Sequence, residues 1–568
     1  MASLKGDKTV EHPFSMAAPN ERLALEQGGQ DVELVDQNSP APVEVRKRSK
    51  LRLASILIAL YLAMFISALD QTITATAIPT ITHDLNSASG YVWIGGAYML
   101  SAAASGPIWA KISDIFGRKP ILLAANVIFI LASLLCAKAV SMKMLIVGRT
   151  LQGLGTGGMI IMIVISDLFS IRQRSLIIGI MEVVWIIAGG VGPILGGLLT
   201  QTLSWRWAFW INLPISSLTL VLLWISLDVH NPRTPMIDGL KAIDWFGSLS
   251  IVGLVLMVLL GLQFGGVTFP WQSPEVICLV VFGGLMSGFF IYSEKRLAKY
   301  PLMPLKLFTD RSNAGCLLLT FCHGLIYMSL EYYLPLFFQS ARSLSPLHSG
   351  LLLAPLNTVS ALSDIAMGLL IHRTGYYLPL IRIGTLLMLL GAGLFILFSP
   401  TTSLSIIVII QIIFALGSGT LFQAPLIGLQ AMVSQDDTAT ATSTFAFSRN
   451  IATCLAVVIG GVIFSNSMDI KVRTLSVAPI SLGADATALL ANGKAAANVM
   501  VFDSIADVGQ RVAIREAYAW SVRNIWFFIT GVASVAVGAS WCIRKAELGK
   551  EHTETKTGLK KETLDPVS

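Results

Sequence analysis

The chain has 568 residues, 54% of them hydrophobic and only 13% charged, with a mean hydropathy of +0.71. Soluble chains carry roughly a quarter charged residues, which disfavours a soluble enzyme. Forty Lys+Arg against 33 Asp+Glu, net +7, is too little charge on too apolar a chain for a nucleic-acid binder. The 48 Gly and 23 Pro suit bilayer-spanning helices, whose neighbours re-satisfy freed backbone groups, better than a water-soluble bundle. An all-α polytopic membrane protein is expected.

Residues 1–50 are polar, hold no spanning run or signal-peptide pattern, and are expected to form a disordered cytoplasmic tail. A span needs about 20 apolar residues. Fourteen such runs follow, near 53–73, 91–110, 120–139, 145–167, 176–200, 207–227, 245–265, 275–293, 313–338, 348–371, 377–398, 404–430, 440–465 and 523–543. Arg46, Lys47, Arg48, Lys50 and Arg52 precede the first run, while Lys111, Arg118, Lys119, Arg172 and Arg174 mark later inside loops and Arg544 and Lys545 follow the last. Basic residues favour the cytoplasmic side, so both termini are expected there, consistent with an even number of spans. Around 467–521 a long exterior segment is expected, read as a variable solvated loop, with an amphipathic helix from Ala496 to Val522 as the alternative. All six cysteines fall within runs, so no disulfide framework is implied.

Between the second and third runs stands Ala110-Lys-Ile-Ser-Asp114-Ile-Phe-Gly117-Arg118-Lys119. Gly117 suits a tight turn, and Asp114 is placed to cap a helix or to pair with Arg118 or a neighbouring helix end. Gly368-x-x-x-His372-x-x-Gly375 repeats the same small, polar and glycine offsets between the tenth and eleventh runs. Transporters are commonly built from such repeats, with the substrate site at their interface. This one pairs runs 1–6 with 9–14 and leaves 7 and 8 as an insert. The expected division is therefore a tail at 1–50, a six-helix bundle at 51–228, two inserted helices at 229–300, a second six-helix bundle at 301–545 and a cytoplasmic tail at 546–568.

The fourth run holds Arg149-Thr-Leu-Gln152-Gly153-Leu-Gly155-Thr-Gly157-Gly158. Arginine inside a span costs on the order of 3 kcal/mol, so it needs a partner or a task unless it snorkels to the interface. In the first run, Asp70 within Leu69-Asp70-Gln71-Thr72-Ile73 is costly to keep charged, making it a candidate proton carrier or a partner for Arg149. The fifth run is a small-residue packing face of Gly179, Ala188, Gly189, Gly190, Gly192, Pro193, Gly196 and Gly197. Trp205-Arg206-Trp207-Ala-Phe209-Trp210-Ile-Asn212-Leu-Pro214 opens the sixth run, its aromatics expected at the outer interface. Glu182, His323, Glu331, Asp364, Arg382 and Arg449 lie in or near spans, where an ionisable residue is a functional candidate unless it forms an ion pair or faces a water-filled crevice.

The Asp114–Lys119 turn resembles the signature of the major facilitator superfamily, small-x-x-x-Asp-x-x-Gly-Arg-Lys, with Ala110 where the family usually has Gly. The resemblance implies that Asp114, Gly117, Arg118 and Lys119 form a latch favouring the outward-facing state. Arg149-x-x-Gln152-Gly153 resembles a family motif whose arginine is implicated in proton coupling. Gly192-Pro193-x-x-Gly196-Gly197, with Gly179 upstream, resembles the motif that marks substrate:proton exchangers exporting their cargo. Leu-Asp-x-Thr-Ile and Trp-Arg-Trp-x-Phe-x-Ile-Asn-x-Pro are similar to the fourteen-span drug:proton antiporter family, especially its fungal members. The likeness runs from about Leu51 to Arg544, more loosely through Tyr332-Tyr333-Leu-Pro335-Leu-Phe337-Phe338-Gln339 and Ser448-Arg449-Asn450.

A proton-coupled secondary exporter of hydrophobic or amphiphilic small molecules is therefore expected, of the fungal toxin or multidrug efflux type, working by alternating access. Glu182, Trp185, Phe321, Tyr327, Glu331, Tyr332, Phe337, Asp364 and Phe422 are its substrate-cavity candidates; an apolar, aromatic cavity suits amphiphiles better than sugars. No Gly-x-x-x-x-Gly-Lys-Ser/Thr, His-Glu-x-x-His or Cys/His cluster occurs, so no cofactor, metal or catalysis is expected, and the proton gradient supplies the energy. The family implies a monomer in the plasma membrane, with the vacuolar membrane as alternative. A fourteen-span importer or exchanger, such as a siderophore carrier, and a non-transporting sensor remain the other readings.

Overall fold

The computed structural model describes residues 49–85, 90–229, 234–265, 269–298, 301–344, 346–477, 490, 495 and 507–548. Residues 1–48 and 549–568 of the expected tails lie outside these. The first half of the described chain comprises α1 (Lys50–Asp84), α2 (Gly90–Phe116), α3 (Arg118–Ala137), α4 (Met142–Leu154), α5 (Gly158–Leu168), α6 (Ile171–Thr202), α7 (Trp207–Trp210), α8 (Asn212–Ser226) and α9 (Met236–Ala242). Then come α10 (Trp245–Phe264), α11 (Pro274–Tyr292), α12 (Lys306–Thr309), α13 (Arg311–Ser340), α14 (Pro346–Leu351) and α15 (Ala354–Thr374). The last are α16 (Leu378–Phe395), α17 (Leu404–Gly419), α18 (Ala424–Gln430), α19 (Thr438–Val477) and α20 (Val508–Cys542).

Among the described residues twelve helical segments are long and apolar enough to cross a membrane, and Trp245–Val258 is a shorter apolar stretch. Helix starts are capped where the sequence supplies a short polar side chain: Ser141, Ser273 and Ser403 accept from the backbone N–H three residues on, and Asp310 accepts from Ser312 and Asn313. α6 packs on α1 and, across the molecule, on α15; α2 packs on α4 and α19; α13 lies between α19 and α20; and α10 packs on α11 and α2.

Some helices outrun the apolar windows. Residues 467–477 and 508–521, expected within an exterior loop, are helical parts of α19 and α20; 478–489, 491–494 and 496–506 lie outside the described residues. Charged residues end an apolar run without ending a hydrogen-bond ladder, and Lys471 lies over the Trp520 ring at 4.9 Å. Trp205, expected at an exposed interface, is instead buried: its Nε1–H donates to Asp84 at 2.9 Å, and the Arg206 guanidinium lies 4.3 Å from its ring. Trp207 is half exposed.

Two expected spans are broken at matching glycines. Between α4 and α5, Gly155-Thr-Gly157 ends one helix and starts the next, with Gly157 at φ +61°. α17 ends at Gly419 in Gly417-Ser-Gly419, and α18 resumes at Ala424. A Cβ on Gly155 would meet the Phe129 backbone nitrogen at 2.6 Å, and one on Gly417 the Met388 backbone nitrogen at 2.4 Å. Both glycines therefore let two backbones touch. Gly417→Val is expected to lower the unfolding temperature of the detergent-solubilised protein by an amount equivalent to about 1–3 kcal/mol, as for other overpacked cores. Gly531→Ala, where nothing lies within 4 Å, should leave that temperature unchanged or raise it; equal losses in both variants would contradict the close-approach role.

Candidate functional site

Asp70 from α1 and Arg149 from α4 are fully buried and meet at 2.5 Å between Oδ2 and a guanidinium nitrogen. The other Asp70 oxygen accepts from Asn212 of α8 at 2.6 Å and from Gln152 of α4 at 3.1 Å. Gln152 in turn accepts from Arg149 at 2.9 Å and donates to Ser133 of α3 at 2.9 Å. Arg149 Nε also donates to the Ile94 carbonyl of α2 at 2.9 Å, and the Tyr98 ring lies 4.5 Å from its guanidinium. Five helices thus meet at one charge pair. Each bond is strengthened by the low surrounding polarity, and each group would be costly to leave unmatched there. Asn212 was read only as part of the sixth-run motif, and Ser133 and Tyr98 were not singled out from the sequence. Asn212 had a signal, an amide inside an aromatic run; Ser133 had none.

The turn after α2 is built as its sequence suggests. Gly117 adopts φ +96°, closed to most side chains, and lets α3 begin immediately after α2. Arg118 is buried, pairs with Asp114 at 2.5 Å, and donates to Asp167 at the end of α5 at 2.8 Å and to Ser113 at 2.8 Å. Asp167, which sequence reasoning passed over, therefore ties the turn to the fourth span. Burial pushes the Asp114 carboxyl above its usual range, while Arg118 and Lys111 pull it down. Lys119 is half-buried and donates to the Trp224 carbonyl at 2.6 Å. The second copy also turns on a positive-φ glycine, but in the left-handed helical region: Gly375 has φ +75° and ψ 4°, and His372 Nδ1 lies 3.2 Å from the Arg172 carbonyl.

At this same end α6 is fastened to the second half of the chain. Ser175 donates to the Gly368 carbonyl at 3.0 Å, Arg174 donates to Gln430 at 3.1 Å and Gln435 at 3.3 Å, and Gln430 donates to Ser166 at 3.0 Å. A Cβ on Gly179 would lie 3.3 Å from the Asp364 carbonyl oxygen, so that glycine and Asp364 share the α6–α15 seam. Gly192 serves a different contact: its Cβ would strike Thr72 of α1, whose hydroxyl donates to the Ala188 carbonyl at 3.0 Å. Gly196 is buried. The side chains of Glu182, Pro193 and Gly197 lie outside those described.

Of the remaining cavity candidates, Tyr327, Glu331 and Phe422 come together. His323, Tyr327 and Glu331 form an i, i+4, i+8 stripe along α13. The Tyr327 hydroxyl donates to Asn357 at 3.0 Å, Glu331 lies one turn further along the same face of α13, and the Phe422 ring stands edge-on to Tyr327 at 4.9 Å and to His323 at 4.7 Å. Arg449 donates to the Phe422 carbonyl. Trp185 packs near Tyr98 on the first-half side. Phe321 faces Leu325 and Ala452 instead, Tyr332 is 54% exposed, and Phe337 is sealed in the core against Phe338 and Phe398. A cavity of about 370 Å³ elsewhere, walled by α2, α4 and α10 around Trp93, Trp109 and Leu256, contains none of these residues. The converging polar groups mark the site better than that apolar groove does.

Removing one member of a buried ion pair costs roughly 3–5 kcal/mol, because its partner is left uncompensated. Asp70→Asn is therefore expected to destabilise the purified protein by that order, and Asp70→Asn with Arg149→Gln to recover much of the loss. Thermal unfolding of both variants beside Arg149→Gln alone measures the coupling; strictly additive losses would refute it.

Residues 60–457 match the family model described as Major Facilitator Superfamily. The chain is 42% identical over 509 residues, 89% of its length and 87% of the relative's, to a protein named efflux pump dotC from Dothistroma septosporum. It is 35% identical over 532 residues, 92% and 93% of the two chains, to the acurin A biosynthesis cluster MFS-type transporter of Aspergillus aculeatus. In backbone it resembles the human organic anion transporter MFSD10, with a TM-score of 0.54 at 13% identity over 84% of this chain and 99% of that one, a likeness of fold alone. The chain belongs to the major facilitator superfamily.

Proposed function

We propose that this protein is a proton-coupled exporter of hydrophobic or amphiphilic secondary metabolites. The observation that carries the coupling is the closed node around Asp70 and Arg149. Two opposite charges at zero exposure satisfy each other and draw on Gln152 and Asn212. A proton delivered to Asp70 cancels one charge and leaves Arg149 uncompensated, a state that favours rearrangement of α1 against α4 and α8. Release of the proton restores the pair. Arg149 thus holds the site closed when Asp70 is ionised, and Gln152 and Asn212 keep the carboxylate in register.

Export is supported by the efflux names of the relatives and by where the halves touch. α6 meets α15 at Ser175 and Gly179, while Gly189 and Gly190 face nothing within 4 Å. The Ser175 end of α6 is fastened to the second half, whereas Gly189 and Gly190 present bare surface. With the Gly117 turn on the cytoplasmic side, as its flanking basic residues require, this arrangement is outward-facing. The aromatic and amide groups of Tyr327, Asn357 and Phe422, with the Glu331 carboxyl, would receive an amphiphile carrying hydrogen-bond donors on an apolar frame.

α2 and α10, added to the twelve spanning segments, give fourteen. Both termini are then cytoplasmic, with bundles at 51–228 and 301–545 and an insert at 229–300. We place the protein in the plasma membrane as a monomer.

Expressed in pump-deficient yeast, the wild type should lower accumulation of a fluorescent amphiphile, and a protonophore should abolish the effect. The double variant Asp70→Asn with Arg149→Gln, at matched abundance, should accumulate dye to the level of cells without the pump. Export that withstands the protonophore would overturn the coupling, and raised accumulation would overturn the direction.

A further inference from the structure

The Asp70 node leaves another buried acidic pair unused. Asp244 caps α10, its Oδ1 accepting from Gly247 at 2.8 Å. Glu294 lies just past the end of α11, in a single π-turn over Ser293–Leu297, and accepts with both oxygens from the following strap, from Leu302 at 3.0 Å and Met303 at 3.1 Å. The two carboxyl groups flank Gly247: a Cβ there would lie 2.1 Å from Asp244 Oδ2 and 3.1 Å from Glu294 Oε1. Both side chains are more than nine-tenths buried. Asp244 Oδ2 has no hydrogen-bond partner, nor do the buried hydroxyls of Ser248, one turn along α10, and Ser293, beside Glu294.

Two ionised carboxylates held this close and out of water repel strongly, and the standard resolution is one shared proton. Here the orphaned oxygen says where it sits. All three backbone-facing bonds, one to Asp244 Oδ1 and two to Glu294, are acceptor bonds, so Asp244 Oδ2 is the position that gains a partner by carrying hydrogen. We propose that Asp244 and Glu294 form a proton-binding site, with one proton on Asp244 Oδ2 donated to Glu294 Oε1.

The charged groups facing the pair are few. Lys111 of α2 lies within electrostatic reach of Asp244 and Glu294, and also of Asp114 in the Gly117 turn and of Asp437 before α19. With one proton the pair carries a single negative charge, matched by Lys111. When that proton leaves for solvent, a second negative charge appears, and Lys111 is drawn from Asp114 and Asp437 toward the insert. The inserted helices thereby gain a pH-dependent grip on the end of the bundle where the turn and α19 meet. This claim is independent of what the protein transports and in which direction.

Infrared difference spectra of the full-length purified protein at neutral pH test it. The C=O band of a protonated carboxyl, identified by its shift on deuteration, should be lost in Asp244→Asn and in Glu294→Gln. The double variant should lose the same single band and no more, because only one proton is shared. Amide replacements keep the hydrogen-bonding shape, and unfolding temperatures verify that each variant is folded. No band lost in either variant would show both groups ionised and overturn the proposal. Two bands lost in the double variant would show independent protonation and overturn it equally. A band that disappears when sodium replaces choline in the buffer would identify a metal-cation site instead.

Discussion

A charge inside an apolar bundle must be answered by another, and Arg149 and Asp70 impose that requirement on everything around them. Neither can leave α4 or α1 without stranding its partner at a cost of several kcal/mol. The surrounding side chains are selected by what the pair still lacks. Asp70 needs donors for its second oxygen and receives two amides; Arg149 needs an acceptor for Nε and takes the Ile94 carbonyl. The remaining guanidinium face lies against the Tyr98 ring. α1, α2, α3, α4 and α8 are thereby fixed about one point by polar bonds that apolar packing alone would not specify.

The two halves of the chain share a backbone plan and differ in chemistry. Gly117 and Gly375 both take a positive φ at the same place in their turns, Gly117 with an extended ψ and Gly375 in the left-handed helical region, and both Leu-Gly-Thr/Ser-Gly segments break a helix. Counting back six residues from Gly155 reaches Arg149; counting back six from Gly417 reaches Gln411, which is buried with neither side-chain atom bonded. The first half has placed a charge where the second has a neutral amide. The second half instead carries its polar groups on α13, at His323, Tyr327 and Glu331. The buried ion pair and the α13 polar stripe thus lie in different halves of the chain.

What was legible in the sequence follows from which forces are local. Apolar windows locate spanning helices because bilayer length is a one-dimensional constraint, and a glycine in a tight turn signals its own φ. Asp70 and Arg149 could be matched because a membrane tolerates few unpaired charges. Asp167 was missed because an acid at a span end looks like an ordinary surface residue, and only the fold brings it 2.8 Å from Arg118. The burial of Trp205 was not legible for a similar reason: tryptophan suits an interface, and only the fold shows that Asp84 supplies its indole N–H with an acceptor. Phe337 is packed in the core and Tyr332 is half exposed, a difference that a hydrophobicity count does not register because it is blind to which face of a helix a residue occupies.

The seam between halves is made of contacts suited to being broken. Ser175 to a carbonyl, Arg174 to two amides and Gln430 to Ser166 are hydrogen bonds whose net worth is about 1 kcal/mol each. The close approach of backbones at Gly368, where a Cβ would meet the Ser175 carbonyl oxygen at 2.4 Å, adds dispersion without interlocking side chains. Water can replace each of these partners when the seam opens, so neither state leaves a stranded charge there. Strength is concentrated within the first half, in the Asp70 and Arg118 networks, and withheld from the interface that must move. A carrier that alternates needs that division, because a seam as strong as its bundles would lock in one state.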